Sequence, residues 1–282
     1  MAAKEPGPPP RKEPIFSIPP VVVAFAALFI AIYAALNWAS PVTQDQVIRT
    51  LAFAPGRLTV WLWPAQAIEL LIRANNDPAA LEQARAMRDL QALSGGPKLW
   101  TLLTYALLHG SWTHVLINTI WLVAFGPPVA RRFGGLRFVL FMAAASVAGS
   151  LAHWASGPMD FSPLIGASAA VSGLMGAATR FMFQPGAPLG PSGFAGGTEV
   201  EAIRPATLKQ VFVEPRARIF LIIWLATDVV FGAFARQLGV SDMPVAWIAH
   251  LGGFAAGLVL FPLFDYGRAR ERSRSPSDIA NR

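Results

Sequence analysis

Cysteine is absent from this 282-residue chain, and charge is scarce. Without cysteine there is no disulfide, no thiolate metal site and no cysteine nucleophile. Asp, Glu, Lys and Arg make up 14% of the residues against 54% hydrophobic, and mean hydropathy is +0.46. Soluble domains carry roughly a quarter charged residues, so the shortage points to a polytopic membrane protein. The opening MAAKEPGPPPRK lacks the cleavage site of a signal peptide, and residues 1–18 are expected to form a disordered cytoplasmic tail. A net charge of +7 could suit nucleic acid. The positive residues instead lie in short segments beside the apolar runs, as topogenic Lys and Arg do, so no nucleic-acid partner is expected.

A membrane-spanning helix needs ~20 mostly apolar residues. Six runs approach that length: 19–38, 112–129, 136–153, 164–183, 219–235 and 245–264. The expected fold is therefore all-α, a six-helix polytopic bundle over residues 19–265, followed by a basic tail at 266–282. Residues 39–111 form a long first loop. Within it, 58–72 is apolar but short, is interrupted by Pro64 and is bracketed by Arg57 and Arg73, which predicts an interfacial segment. The following 78–93 places Leu81, Ala84, Met87, Leu90 and Leu93 on one side, the pattern of an amphipathic surface helix. Residues 184–215 connect the fourth and fifth runs, and their Pro- and Gly-rich part, 184–197, predicts a flexible cytoplasmic linker.

Charge placement orients the bundle. Arg131, Arg132 and Arg137 follow the second run, while Arg204, Lys209, Arg216 and Arg218 precede the fifth. Arg268, Arg270, Arg272 and Arg274 follow the sixth. The connections 154–163 and 237–244 carry no Lys or Arg. Both termini and the linker are thus expected in the cytoplasm, and the first loop outside. A bacterial inner membrane is the expected location.

With that topology the even-numbered runs are parallel. His114 and Asn118 fall near the start of the second, Ser168 near the start of the fourth and His250 near the start of the sixth. Four polar side chains then meet at one depth near the external face, and no comparable gathering is expected at the cytoplasmic end. Ionisable groups are costly in hydrocarbon and are kept there mainly for function. Ala169, Gly173 and Ala177 form a small-residue row, as do Gly253 and Gly257, which lets helix backbones approach. A serine beside a histidine suggests nucleophile and base. His114, the Asn118 amide and the Ser168 backbone N–H are suitable oxyanion donors. Asp160 and Asp242 are placed in external loops, so no acid is matched to His250 and a Ser–His dyad is favoured over a triad. His109, His114 and His250 could ligate a metal, but the serine and asparagine beside them are poor transition-metal ligands, and no metal is assigned.

These residues resemble the rhomboid family of intramembrane serine proteases. The matching pieces are His109-Gly-Ser-Trp-Thr-His114-Val-Leu-Ile-Asn118, Gly166-Ala-Ser168, and His250-Leu-Gly-Gly253 followed by Gly257. The resemblance implies peptide-bond hydrolysis in or beside transmembrane segments of protein substrates within the lipid bilayer, without a cofactor. It implies Ser168 as nucleophile, His250 as base, and His114, Asn118 and the Ser168 amide as oxyanion donors. The chain departs from the family pattern at Ala169, where glycine is usual, and at Ser172, where an aromatic is common. The Ser172 hydroxyl is expected to hydrogen-bond the His250 imidazole, and Asp228 is read as a structural hydrogen-bonding group. An inactive rhomboid-like protein that binds membrane clients is the alternative. A transporter using His114, His250 and Asp228 is disfavoured because these residues trace no path across the membrane.

Overall fold

The computed structural model describes residues 18–73, 77–82, 84–85, 96–187, 189, 200, 203–234 and 246–272. Among them the regular elements are helical, and extended pairing is limited to one antiparallel bridge between Phe53 and Leu164. Helix α1 spans Pro20–Asn37, with proline at its first position, where the missing N–H has no intrahelical partner to lose. Three short helices follow: α2 (Pro41–Leu51), α3 (Pro55–Leu62) and α4 (Pro64–Arg73). After α5 (Thr101–Thr104) and a 3-10 turn, the chain forms α6 (Trp112–Phe133), α7 (Gly135–Ser156) and α8 (Ser168–Thr179). It ends with α9 (Leu208–Val213), α10 (Pro215–Phe234) and α11 (Trp247–Arg272).

Four helices among the described residues are long and apolar enough to cross a membrane: α1, α6, α7 and the Trp247–Asp265 part of α11. Their outward faces carry exposed Leu116, Ile117, Ile120, Leu140, Val259 and Leu263, a surface whose solvent is hydrocarbon. The fourth predicted run, 164–183, is not one continuous helix. Residues 164–166 are not helical, Ala167 makes a turn, and α8 begins only at Ser168 and stops at Thr179. The cause is local: Leu164 exchanges backbone hydrogen bonds with Phe53, and Gly166 holds φ +119°, outside the helical region. Twelve residues span about 18 Å, and α8 is enclosed by its neighbours, with residues 169–179 all buried. At the other end of the chain, α11 runs past 264 to Arg272.

The interfacial segment expected at 58–72 divides at Trp63 and Pro64 into α3 and α4, and the first turn of α3 is buried. Thr59 Oγ1 donates to the Pro158 carbonyl at 2.5 Å and accepts from Trp154 Nε1 at 2.9 Å. Trp63 stacks on Trp154, and Gly56 N–H donates to the Asp160 carbonyl at 2.7 Å. Arg57 and Lys98 both donate to the Arg49 carbonyl, and burial pushes each below its ordinary pKa. Residues 78–82 and 84–85 are helical, but the rest of the amphipathic segment 78–93 lies outside the described residues, as do 1–17, 190–199 and 273–282. The latter half of the predicted linker is ordered against the bundle. Ala206 N–H bonds the Arg180 carbonyl, and Thr207 and Gln210 form a reciprocal capping box at the start of α9.

The C-terminal ends of α6, α8 and α11 hold a polar cluster, where the sequence predicts no gathering of polar groups. Arg132 is fully buried and makes a bidentate pair with Asp265, both contacts at 2.8 Å. Its remaining nitrogen donates to the carbonyls of Val200 and Ile203, and its plane lies over Phe181 and Phe261. Arg180 donates to the carbonyls of Ala206 and Leu258. Arg132 reads as a topogenic charge from its position beside an apolar run, and Arg180 falls inside the fourth run; only the fold shows that both turn inward.

Breaking a buried ion pair by deleting one partner leaves the other charge uncompensated, at ~3–5 kcal/mol. Arg132→Ala is therefore expected to lower unfolding stability in detergent micelles by about that amount, and Arg132→Met with Asp265→Leu is expected to recover part of it. Equal losses for the single and double variants would show that the pair is not what holds these ends.

Candidate active site

Three helices bring their N-terminal ends together. Their C-terminal ends meet at the Arg132, Arg180 and Asp265 cluster, so α6, α8 and α11 run parallel. The closest approach is between α8 and α11. A Cβ on Gly253 would overlap the Ala169 carbonyl, and one on Gly257 would overlap that of Gly173. Ser168 precedes Ala169, and His250 lies one turn before Gly253 on the same face, so both flank this crossing.

Ser168 is the first residue of α8 and is half-buried. The first intrahelical acceptance at this end is from Val171 to the Ala167 carbonyl. The N–H groups of Ser168, Ala169 and Ala170 make no hydrogen bond among the described residues, the usual state of a helix N-terminus. Gly166 N–H is held by the Tyr105 carbonyl at 3.0 Å, and the Tyr105 hydroxyl donates to the Ser146 carbonyl at 2.8 Å. The segment entering the serine is thereby fixed from two sides.

His114 stands opposite. Its backbone N–H is capped by Ser111 Oγ at 3.1 Å at the start of α6. A Cβ on Gly166 would lie 2.7 Å from His114 Nε2 and 3.7 Å from Ser168 Oγ, so the imidazole and the hydroxyl border the same small space. Asn118, one turn on, is buried and spends one amide N–H on the His114 carbonyl at 3.1 Å; the second amide proton stays available. His109 forms a wall, packed edge-on against His114 and tilted against Phe29, and both its ring nitrogens are buried. His153 lies at the end of α7, within 4.0 Å of Asp160.

His250 is where the structure departs most from expectation. Its Nδ1 is 2.5 Å from Oδ1 of Asp228 on α10, so an acid does reach this histidine. The hydrogen bond expected from Ser172 is absent: Ser172 is buried in α8, and Nδ1 is occupied by the carboxylate. Ser168 Oγ and His250 share no hydrogen bond in this state; catalytic contacts of this kind often tighten only around a substrate.

The α10–α11 contact has a regular register. Trp224 stacks on Phe254 with centroids 4.0 Å apart, Asp228 meets His250, and Gly232 lies against the Trp247 ring. Residues four apart on α10 face residues three or four apart on α11, as antiparallel helices require. The signal that finds Asp228 in the sequence is depth. It lies about 9 Å from the α10 C-terminus and His250 about 4.5 Å from the α11 N-terminus, at 1.5 Å per residue.

A Rhomboid domain matches residues 96–265, more than half of the chain. The chain is similar to the putative rhomboid protease YdcA of Bacillus subtilis, at 36% identity over 77 residues, covering 27% of this chain and 38% of that protein. It is similar to rhomboid protease GluP of the same organism, at 40% over 78 residues, covering 28% and 15%. A longer match, 27% identical over 188 residues, relates it to RHOMBOID-like protein 5 of Arabidopsis thaliana, covering 61% of this chain and 56% of that one. In each case the chain spans less than two thirds of the relative's own length.

Gly166 makes the site testable apart from any reaction. Gly166→Ala requires an L-residue at φ +119° and places a methyl 2.7 Å from His114 Nε2. The expected result is a stability loss of ~1–3 kcal/mol and a shifted His114 imidazole resonance. Gly134→Ala, at φ +79° with nothing within 4 Å, is expected to add backbone strain only and leave that resonance unmoved. A shift in both variants, or in neither, would argue against the contact.

Proposed function

The chain belongs to the rhomboid family, and from that premise we propose that it is a six-span intramembrane serine endopeptidase. Its substrates are membrane proteins, cut within or next to a transmembrane segment. Supporting this is the position of Ser168, His114 and His250 at the N-terminal ends of three parallel helices, with Ser168 and His114 bordering one small space. All three are half-buried, sheltered from bulk water yet open to a substrate.

Each residue type has a definite task. His250 takes the proton of Ser168 Oγ as the oxygen attacks the scissile carbonyl, then returns it to the departing amine. Water hydrolyses the acyl-serine by the same proton transfers in reverse. Charge developing on the carbonyl oxygen falls at the positive end of α8. The Ser168 N–H donates there, with His114 and the free amide proton of Asn118 as further donors. A substrate helix must unwind locally, because its peptide bonds are hidden behind its own hydrogen bonds and side chains. The chain is a multi-pass membrane protein; both termini cytoplasmic, in a bacterial inner membrane, is the orientation that its charge distribution favours.

Reconstituted enzyme with a single-span substrate tests the reading. Wild type is expected to cleave it. Ser168→Ala and His250→Ala are expected to lose at least ~10³-fold in kcat, and fluorophosphonate labelling of Ser168 should vanish in His250→Ala. Cleavage retained by either variant would defeat the assignment, and a client-binding protein would show no cleavage by wild type at all.

A further inference from the structure

We propose that Asp228 is a positioning residue for His250, so that the site is a Ser–His–Asp triad drawn from α8, α11 and α10. This rests on the serine-peptidase reading above. The Nδ1–Oδ1 contact is 2.5 Å, and among the described residues the carboxylate has no other hydrogen bond: Oδ2 is buried and finds no partner there. A carboxylate in an apolar setting is expensive unless paired. Here the available pairing is with the imidazole, and the charge is best compensated when that ring is a cation.

The placement of Asp228 on α10 is equally telling. Most described residues of α10 are exposed, and among them only Ala217 and Asp228 are buried. Asp228 is the sole acidic residue of the helix. A peripheral apolar helix thus directs its one carboxylate inward, onto a histidine. The rungs on either side, Trp224 on Phe254 and Gly232 on Trp247, fix the register that delivers it. Among the described residues, the other ionisable groups near His250 are His114 on α6 and His153 on α7. Neither can accept a proton-bearing Nδ1 while also compensating positive charge.

The consequence for the proton is specific. With Nδ1–H donated to Asp228, the Nε2 lone pair is the basic site and is the one available to Ser168. When Ser168 Oγ forms its bond to the carbonyl carbon, the hydroxyl proton passes to Nε2. Nδ1 keeps its own proton, and Asp228 remains a carboxylate beside the imidazolium. The proton then leaves from Nε2 to the amine as the C–N bond breaks. Asp228 therefore stabilises a charge that is present only after proton transfer, which is the condition for a contribution to kcat.

The test uses full-length protein in liposomes with Asp228→Asn, Asp228→Glu and Ser168→Ala, read by cleavage kinetics and by nitrogen-15 spectra of labelled histidine. Asp228→Asn is expected to lower kcat by ~10²–10⁴-fold with KM little changed, because the amide donates to Nδ1 and moves the ring proton to Nε2. Asp228→Glu is expected to restore part of the loss. In wild type and in Ser168→Ala the His250 Nδ1–H resonance is expected far downfield with Nε2 unprotonated, and this signature disappears in Asp228→Asn. A packing role alone would cost thermal stability and leave the tautomer unchanged; that outcome, or an Asn variant within threefold of wild type, overturns the proposal. If wild type itself does not cleave, the failure belongs to the peptidase reading, and the His250 resonance still decides whether Asp228 sets the ring.

Discussion

At the crossing of α8 and α11 the two backbones touch, Gly253 against the Ala169 carbonyl and Gly257 against that of Gly173. A serine side chain ends one heavy atom beyond its Cβ, so it can serve an imidazole on another helix only if the helices are this close. Ordinary helix pairs stand ~8–10 Å apart, and a side chain larger than hydrogen at 253 or 257 would force that spacing. In lipid no hydrophobic force drives helices together, and packing by small residues is the available means. The position of Ser168 relative to His250 thus follows from two glycines.

A second constraint acts at the opposite end. Arg132, Arg180 and Asp265 tie the C-terminal ends of the same three helices and bind the returning linker through the carbonyls of Val200, Ile203 and Ala206. Pinned at both ends, α6, α8 and α11 act as a rigid frame. The extended segment before α8, paired with Phe53 and held by Tyr105, then presents Ser168 at the start of a helix rather than partway along one. Its N–H group is free for that reason, and a continuous fourth span would have consumed it.

Much of this was legible in the residue order. Long apolar runs located α1, α6, α7, α10 and α11 because a hydrocarbon-facing helix has few other compositions open to it. His114, Asn118, Ser168 and His250 stood out because polar groups in such runs are rare, and the parallel sense of three runs put them at one depth. The start of α8 was not legible: Gly166 and the Phe53 pairing act through backbone conformation and a contact more than a hundred residues distant, neither of which alters hydropathy. The inward turn of Arg132 is hidden for a related reason. Hydropathy records that a charge lies at a helix end, but not whether it points to water or to a carboxylate on another helix.

Asp228 reads from the sequence as a structural hydrogen-bonding group, and the structure supplies its partner, His250. In the sequence Asp160 and Asp242 fall in the loops around His250, whereas the partner sits 22 residues upstream on an antiparallel neighbour at similar depth. On antiparallel helices, residues counted from opposite ends share a depth, and Asp228 and His250 are such a pair. The pairing also changes how α10 is understood. Few of its side chains are buried, and hydrocarbon offers little to hold a peripheral apolar helix in one place. One strong hydrogen bond flanked by an aromatic stack is then a large part of what docks it. Orientation of the imidazole and docking of α10 are the same interaction viewed from its two ends, so the histidine is fully oriented only while that helix is in place.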